Sequence, residues 1–404
     1  MNKKHRQKIK LGEYASFKTG KLDSNAATTN GEYPFFTCSR ETFLTDTYSF
    51  DTECVLLAGN NAAGKFPLKY FVGKFDAYQR TYIIEPLDAE KLNTRFLFYA
   101  LQLQLEYMRS VSTGATTKFL TKTILDNLKL TIPPLPTQQK IAAVLSAYDD
   151  LIENNTRRIQ ILEEMAQTIY RQWFVEFEYP GHEDVPLVDS GTELGMIPEG
   201  WEVEAINDVA EVLGGGTPST KKSEYWEDGN INWFAPRDLT KAGTMFIGDS
   251  PRKINELGLQ KSSAKMFPAY SVMMTSRATL GVTAINTLPA CTNQGFITCV
   301  PNERLSNYQI YFWIAENLEK ITSVASGATF KEITKGTFRK FLIVIAPPKI
   351  HNHFVEILEP IGKQIENLQQ KNANLRATRD LLLPRLVSGE VGVEGVAVRG
   401  KGVK

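Results

Sequence analysis

At 404 residues, with 42% apolar residues and a formal net charge of +1, the chain has room for about two to four domains that each bury a core, and it is not a uniformly basic nucleic-acid binder. No run approaches 18 apolar residues and no apolar core follows the basic start MNKKHRQKIK, so neither a membrane span nor a secretion signal is expected. Cys38, Cys54, Cys291 and Cys299 form no CxxC pair, which points to free thiols in a reduced, cytoplasmic setting.

Residues 1–135 read as a first mixed α/β segment. Short β-type runs such as Val55-Leu56-Leu57 and Thr81-Tyr82-Ile83-Ile84 lie between Gly, Asn and Pro clusters that mark turns, and Phe96 to Leu101 is a helix-like aromatic stretch. The segment carries 18 Lys and Arg against 13 Asp and Glu, so a phosphate-binding patch belongs mainly here. It closes at Ile132-Pro133-Pro134-Leu135-Pro136, where proline fixes the start of the next element.

A long helix is predicted over 136–179. Ile141, Leu145, Tyr148, Ile152, Asn155, Ile159 and Leu162 alternate in steps of four and three, the seam of a coiled coil. A polar linker comes next over 180–197, and residues 136–198 hold 4 basic against 11 acidic residues. That acidity suits solvent or a protein partner, not DNA. A second mixed segment spans 198–348, with strand-like Ser271 to Met274 and Phe296 to Thr298 and a helix-like Ile310 to Ile314. A second long helix over 349–388 carries the seam Phe354, Leu358, Ile361, Ile365, Leu368, Asn372 and Leu375. Residues 389–404, rich in Gly, Val and Lys, are expected to be a disordered tail.

The second half repeats the first. A shift of 213 places Ser110 to Lys118 on Ser323 to Lys331, Leu120-Thr121-Lys122 on Ile333-Thr334-Lys335, and Ile141, Leu145, Ile152 and Leu162 on Phe354, Leu358, Ile365 and Leu375. An offset held without a gap over roughly 65 residues is a duplication. Antiparallel pairing of the helices brings Asn155 opposite Asn372. Parallel pairing in the repeat register would bury each amide against Leu368 or Ile159. The chain is therefore read as two mixed α/β domains joined by two long helices in an antiparallel coiled coil, related by an approximate two-fold duplication.

No catalytic constellation emerges. Gly59 to Lys65 matches GxxxxGK, but Phe66 occupies the position of the Mg²⁺-binding Ser or Thr, and the repeat lacks the lysine. His351 and His353 are two apart with no cysteine nearby, so no metal site is expected. The turn-like segments instead hold residues suited to base edges and phosphates: Asn60, Asn61, Lys65, Gln79, Arg80, Thr116, Lys118 and Lys122 in the first copy, and Arg237, Arg277, Asn293, Gln294, Thr329, Lys331 and Lys335 in the second. Singly, each is an ordinary polar surface residue; the set carries the reading.

Several segments together resemble the specificity subunit of a type I restriction–modification system. They are Leu130 to Pro136 followed by Gln138 to Leu145, Tyr170 to Phe174, Ile197 to Trp201, the paired (Ser/Thr)-Gly-Ala-Thr segments, and Leu381 to Glu390. The resemblance implies two target recognition domains, each reading one half of a split site in double-stranded DNA. It implies helices that space them and dock two adenine-N6 methyltransferase subunits, with restriction subunits able to join. It places S-adenosylmethionine, ATP and Mg on those partners and no cofactor on this chain. The acidic first helix then offers Glu163 and Glu164 as docking candidates, and a rod of roughly 50 Å matches about one to one and a half turns of DNA. The rival readings are a tandem-domain DNA-binding regulator without a methyltransferase partner and a coiled-coil scaffold that binds no DNA.

Overall fold

The computed structural model describes residues 6–62, 64–277, 279–327 and 331–396. They form two compact units, one of residues 1–153 with 373–404 and one of residues 154–372.

The first unit is built on a six-stranded sheet in the order Ala15–Thr19, Thr81–Pro86, Phe50–Ala58, Leu68–Ala77, Tyr33–Phe36, Thr42–Thr45. All neighbours run antiparallel except Tyr33–Phe36 beside Leu68–Ala77. Val55 and Leu57 point to one face and Cys54 and Leu56 to the other, and each pair belongs to a separate buried cluster, so the strand is covered on both sides. The helix Thr94–Gln102 packs on the Val55 face, started by Asn93, whose side chain accepts from the Phe96 N–H at 2.9 Å. A separate ribbon pairs Gln7–Lys10 with Lys129–Ile132.

The second unit repeats this plan. Its five-stranded sheet runs Glu211–Gly214, Phe296–Val300, Val272–Thr275, Thr283–Asn286, Phe246–Ile247, and Glu202–Ala205 pairs with Leu342–Ile345. Ser306 caps the helix Asn307–Glu316 from the position 213 beyond Asn93, and Thr121 and Thr334 cap the two short helices Lys122–Asp126 and Lys335–Phe338. The constant offset therefore reaches back to residue 93. The main departure is an added three-stranded sheet, Arg252–Ile254, Ile231–Phe234 and Ala290–Thr292, with Arg252 stacked 3.7 Å from the Trp226 ring centroid.

The long helices span Leu135–Phe174 and Pro348–Ser388. In the second unit they run antiparallel. Asn155 Nδ2 donates to Asn372 Oδ1 at 2.9 Å, as the antiparallel register requires, and Asn372 donates to Thr156 Oγ1 at 3.2 Å. Toward the other end of the same pair, Trp173 and Phe174 pack on Phe354, with ring centroids 5.7 and 4.8 Å away. In the first unit, Arg379 donates to Asp149 Oδ1 at 2.6 Å, and Tyr99 donates to the other oxygen at 2.5 Å, tying the coil to the sheet domain. Ile141, Leu145, Ile152, Ile159, Phe354, Leu358, Ile365 and Leu368 are buried; Tyr148, Leu162, Ile361 and Leu375 are half-buried at the seam's edges. Pro360 and Pro384 lie inside the second helix with their side chains exposed, each removing one helical N–H donor.

Three boundaries differ from expectation. The first long helix ends at Phe174, not 179, because Phe177 takes a positive φ of 61° and Tyr179 turns back onto Trp201, 5.2 Å between rings. The stretch 180–197 is not a bare linker: Leu187–Asp189 pairs with Met196–Pro198 in a hairpin. Residues 389–396 are not a loose tail. Val393 is buried and Val391 and Val396 pack against the first unit's core; residues 397–404 lie outside the described residues.

Candidate nucleic-acid interface

In the first unit the chain beyond strand Phe50–Ala58 forms a two-residue strand, Asn60–Asn61, paired with Lys118–Phe119. Backbone bonds lock this crossing: Gly59 N–H donates to Arg80 O and Leu120 N–H donates to Gly59 O, both at 2.8 Å. The (Thr)-Gly-Ala-Thr segment turns through Gly114, whose φ of 99° disfavours any side chain. This brings Lys118 back beside Asn61 and sets the Arg80 guanidinium 5.7 Å from the Phe119 ring centroid. Gly64, at φ 65°, makes a tight turn against the side chains of Lys118 and Arg109, and the Asn61 side-chain Oδ1 accepts from the Lys65 N–H.

Of the residues predicted to bind DNA, Asn60, Asn61, Lys65, Arg80 and Lys118 converge here, and Gln79 adjoins Arg80. Thr116 sits on the exposed turn, while Lys122 is held by Asp126 at 2.9 Å and lies over Phe17. The segment Gly59–Lys65 leads into strand Leu68–Ala77, not a helix, so it has no phosphate-loop geometry. A cavity of about 500 Å³ opens beside it, lined by Lys65 and also by Arg40 and Lys69, which sequence reasoning missed because they come from separate strands and loops. Burial pulls the Lys69 ammonium below its ordinary value, and its Nζ donates to Glu41 O at 2.7 Å.

The second unit builds an equivalent rim. Ser276 N–H donates to Gly295 O at 2.8 Å and Ile333 N–H donates to Ser276 O at 3.1 Å, so Arg277 bridges Glu332 as Asn60 bridges Phe119. Asn293 Oδ1 accepts from Gly295 N–H at 2.8 Å, and Gln294 Oε1 accepts from Thr217 Oγ1 at 2.6 Å, which leaves the Gln294 amide donors directed elsewhere. Pro236, beside the exposed Arg237, packs against Gly295, and Lys335 reaches Gly214. Arg237, Arg277, Asn293, Gln294 and Lys335 are thus brought to one rim, with Lys331 exposed next to Glu332; Thr329 lies outside the described residues. Glu332 was missed, since a lone acid in a turn gives no signal without its partner.

The other candidates are placed differently. His351 is buried, its Nδ1 has no hydrogen-bond partner among the described residues, and burial pulls its pKa down; His353 packs on Trp173. Among the described residues no group of three or more His, Cys, Asp or Glu side chains is arranged to hold a metal. Glu163, named as a docking candidate, is engaged within its own unit. It is half-buried, burial raises its carboxyl above the ordinary range, and it accepts from the Met245 backbone N–H within its own unit. Glu164 alone of that pair is exposed.

The profile of the type I restriction modification DNA specificity domain matches residues 3–164 and again 198–377, once per half. The chain belongs to the type I restriction–modification specificity family. It is similar to the MjaIX specificity subunit of Methanocaldococcus jannaschii, with 30% identity over 308 residues, 74% of this chain and 70% of that one. It is also similar to the HindI specificity subunit of Haemophilus influenzae, with 25% identity over 370 residues covering 76% and 80% of the two chains. The fold matches that of the S subunit of the type I restriction–modification system from M. genitalium, with a TM-score of 0.64 at 16% identity over 96% of this chain and 97% of that one. This specificity subunit is a non-catalytic DNA-recognition component. No helix among its described residues is long and apolar enough to cross a membrane.

Proposed function

We propose that the chain reads a split duplex target, one half-site through each unit, while its helices dock two adenine-N6 methyltransferase subunits and permit restriction subunits to join. The observation that carries this reading is the paired rim: the same backbone crossing recurs in both units but presents different side chains, Asn60 and Phe119 in one and Arg277 and Glu332 in the other. Equal scaffolds with unequal reading residues suit two different half-sites. S-adenosylmethionine, ATP and Mg would reside on the partners.

For methyltransferase docking, the outer face of the first long helix supplies Ile161, about half exposed, with Glu164 three residues on and the equally exposed Met165 four residues on, both neighbours of Ile161 at helical spacing. Exposed apolar side chains flanked by acid fit a partner protein better than a phosphate backbone.

Mapping methylated adenines in a host carrying this chain with its methyltransferase tests the reading. A split motif is expected. Replacing residues 1–135 with those of a relative should then change one half only. Both halves changing together would refute the assignment of one unit to one half-site.

A further inference from the structure

The duplication aligns two residues that the sequence offset alone does not pair. Phe119 and Glu332 are 213 apart, and each is bridged by a residue just past a sheet strand: Asn60 and Arg277, 217 apart. The surrounding bonds agree residue by residue. Gly59 and Ser276 each accept from the backbone N–H that comes after the bridge partner, at Leu120 and Ile333, and each donates across to the neighbouring strand end, at Arg80 and Gly295. Asn60 and Arg277 therefore hold one position in two copies of one scaffold.

Bridged antiparallel residues direct their side chains to the same face. Arg277 uses that: its Nε–H donates to Glu332 Oε1 at 2.7 Å, with both side chains roughly 40% exposed. A carboxylate on Nε fixes the guanidinium plane and leaves the two terminal nitrogens for another acceptor pair. Guanine offers that pair in the major groove through O6 and N7, while Asn matches adenine N6 and N7. Three other arginines of the unit are committed otherwise: a terminal nitrogen of Arg304 is held by Glu202 and Glu204, that of Arg339 donates to Val212 O, and Arg252 stacks on Trp226, whereas Arg237 on the same rim is exposed and lacks such a carboxylate buttress among the described residues.

We infer that this shared position is a base-reading position in each unit, Arg277 buttressed by Glu332 taking a guanine of the second unit's half-site and Asn60 taking an adenine of the first unit's half-site. Glu332 is a positioning residue, acting through Arg277. The inference rests on the split-target reading above. A wild-type chain that yields no split motif sinks that reading; a split motif indifferent to these residues sinks this inference alone.

The experiment is methylated-adenine mapping with the intact methyltransferase complex, alongside size-exclusion analysis of its assembly. Arg277→Ala should erase the preference for guanine at one position of one half-site, about ten- to a hundredfold, and leave the other half intact. Arg277→Gln should move that position toward adenine, and Glu332→Gln should weaken guanine preference without abolishing it. Asn60→Ala should relax one adenine position in the other half-site. An assembled Arg277→Ala complex with an unchanged motif, or one that loses methylation at every sequence equally, overturns the inference. Should both Arg277 variants fail to assemble, Glu332→Gln decides: an assembled complex with undiminished guanine preference overturns it as well.

Discussion

Three of the four thiols, Cys54, Cys291 and Cys299, are fully buried, and burial pushes each up to about 12. A neutral, enclosed thiol is a poor nucleophile. Cys38 is half-buried, near the polar rim of the first unit, where its sulfur lies 3.5 Å from Arg80 O. Alkylation of the native protein at neutral pH, read by peptide mass mapping, should modify Cys38 and spare the other three until the chain unfolds. At the start of the second long helix, His351 invites a pH measurement. Its folded pKa lies below the ordinary value of about 6.5, because burial disfavours the imidazolium. As pH falls through that ordinary value the unfolded chain takes up the proton and the folded chain resists it, so stability is lost on acidification. The charged groups lining the same cleft are Glu202, Glu204, Glu303 and Arg304. The repeat places Gln138 at the equivalent position, where its side chain accepts from Asn93 N–H and donates to Lys91 O and Pro133 O, all at 2.9 Å. His351→Gln should therefore flatten the fall in unfolding midpoint between about pH 7 and pH 5.5; an unaltered slope would remove His351 from the acid sensitivity.

At the scale of elements, the coil was legible because one geometric rule, apolar residues in steps of four and three, decides which side chains are buried. The polar exceptions at the seam were legible too: two amides that are 9% and 2% exposed must find each other or lose their hydrogen bonds. Asn155→Leu should cost about 1–3 kcal/mol, because the buried Asn372 Oδ1 loses the donor that Asn155 supplies. Leucine at both positions should recover most of that loss, since a paired apolar layer has nothing to strand. Urea unfolding of the two single variants and the double variant measures the coupling, and a double variant as unstable as the sum of the singles would remove the pair from the register argument. Other features left no such trace. The two-residue strand Asn60–Asn61 is too short to show a period, and its pairing partner is more than 55 residues away. The packing of Val391, Val393 and Val396 was hidden by a composition that reads as flexible, yet the repeat contained the clue: Glu178 N–H donates to Gln172 O, and 213 residues later Val391 N–H donates to Arg385 O. Glu163 looked like a surface acid because helical spacing alone does not reveal that Met245 lies over it.

At the scale of the whole molecule, the long helices are shared between the units: residues 135–153 and 373–388 belong to the first, and residues 154–174 and 348–372 to the second. Each unit fixes the helix register by its own polar pair, Asp149 with Arg379 and Asn155 with Asn372. Lengthening must therefore respect both. Seven residues inserted after Ile152 and seven before Leu375 fall between those two layers in both helices, so each pair keeps its partner and the seam keeps its phase. Such an insertion adds about 10 Å of helix, close to three base pairs at ~3.4 Å each. The double insertion should leave both half-sites unchanged and lengthen the unread spacer by about three base pairs in the methylation map. Insertion into one helix alone forces one polar pair seven residues out of register. Either Asp149 and Arg379 or the two asparagines are then left without their partners, and thermal unfolding should show a loss of several degrees that the second insertion restores. A double insertion that assembles with its methyltransferase and methylates the original spacing would show that the helices do not set the distance between the half-sites.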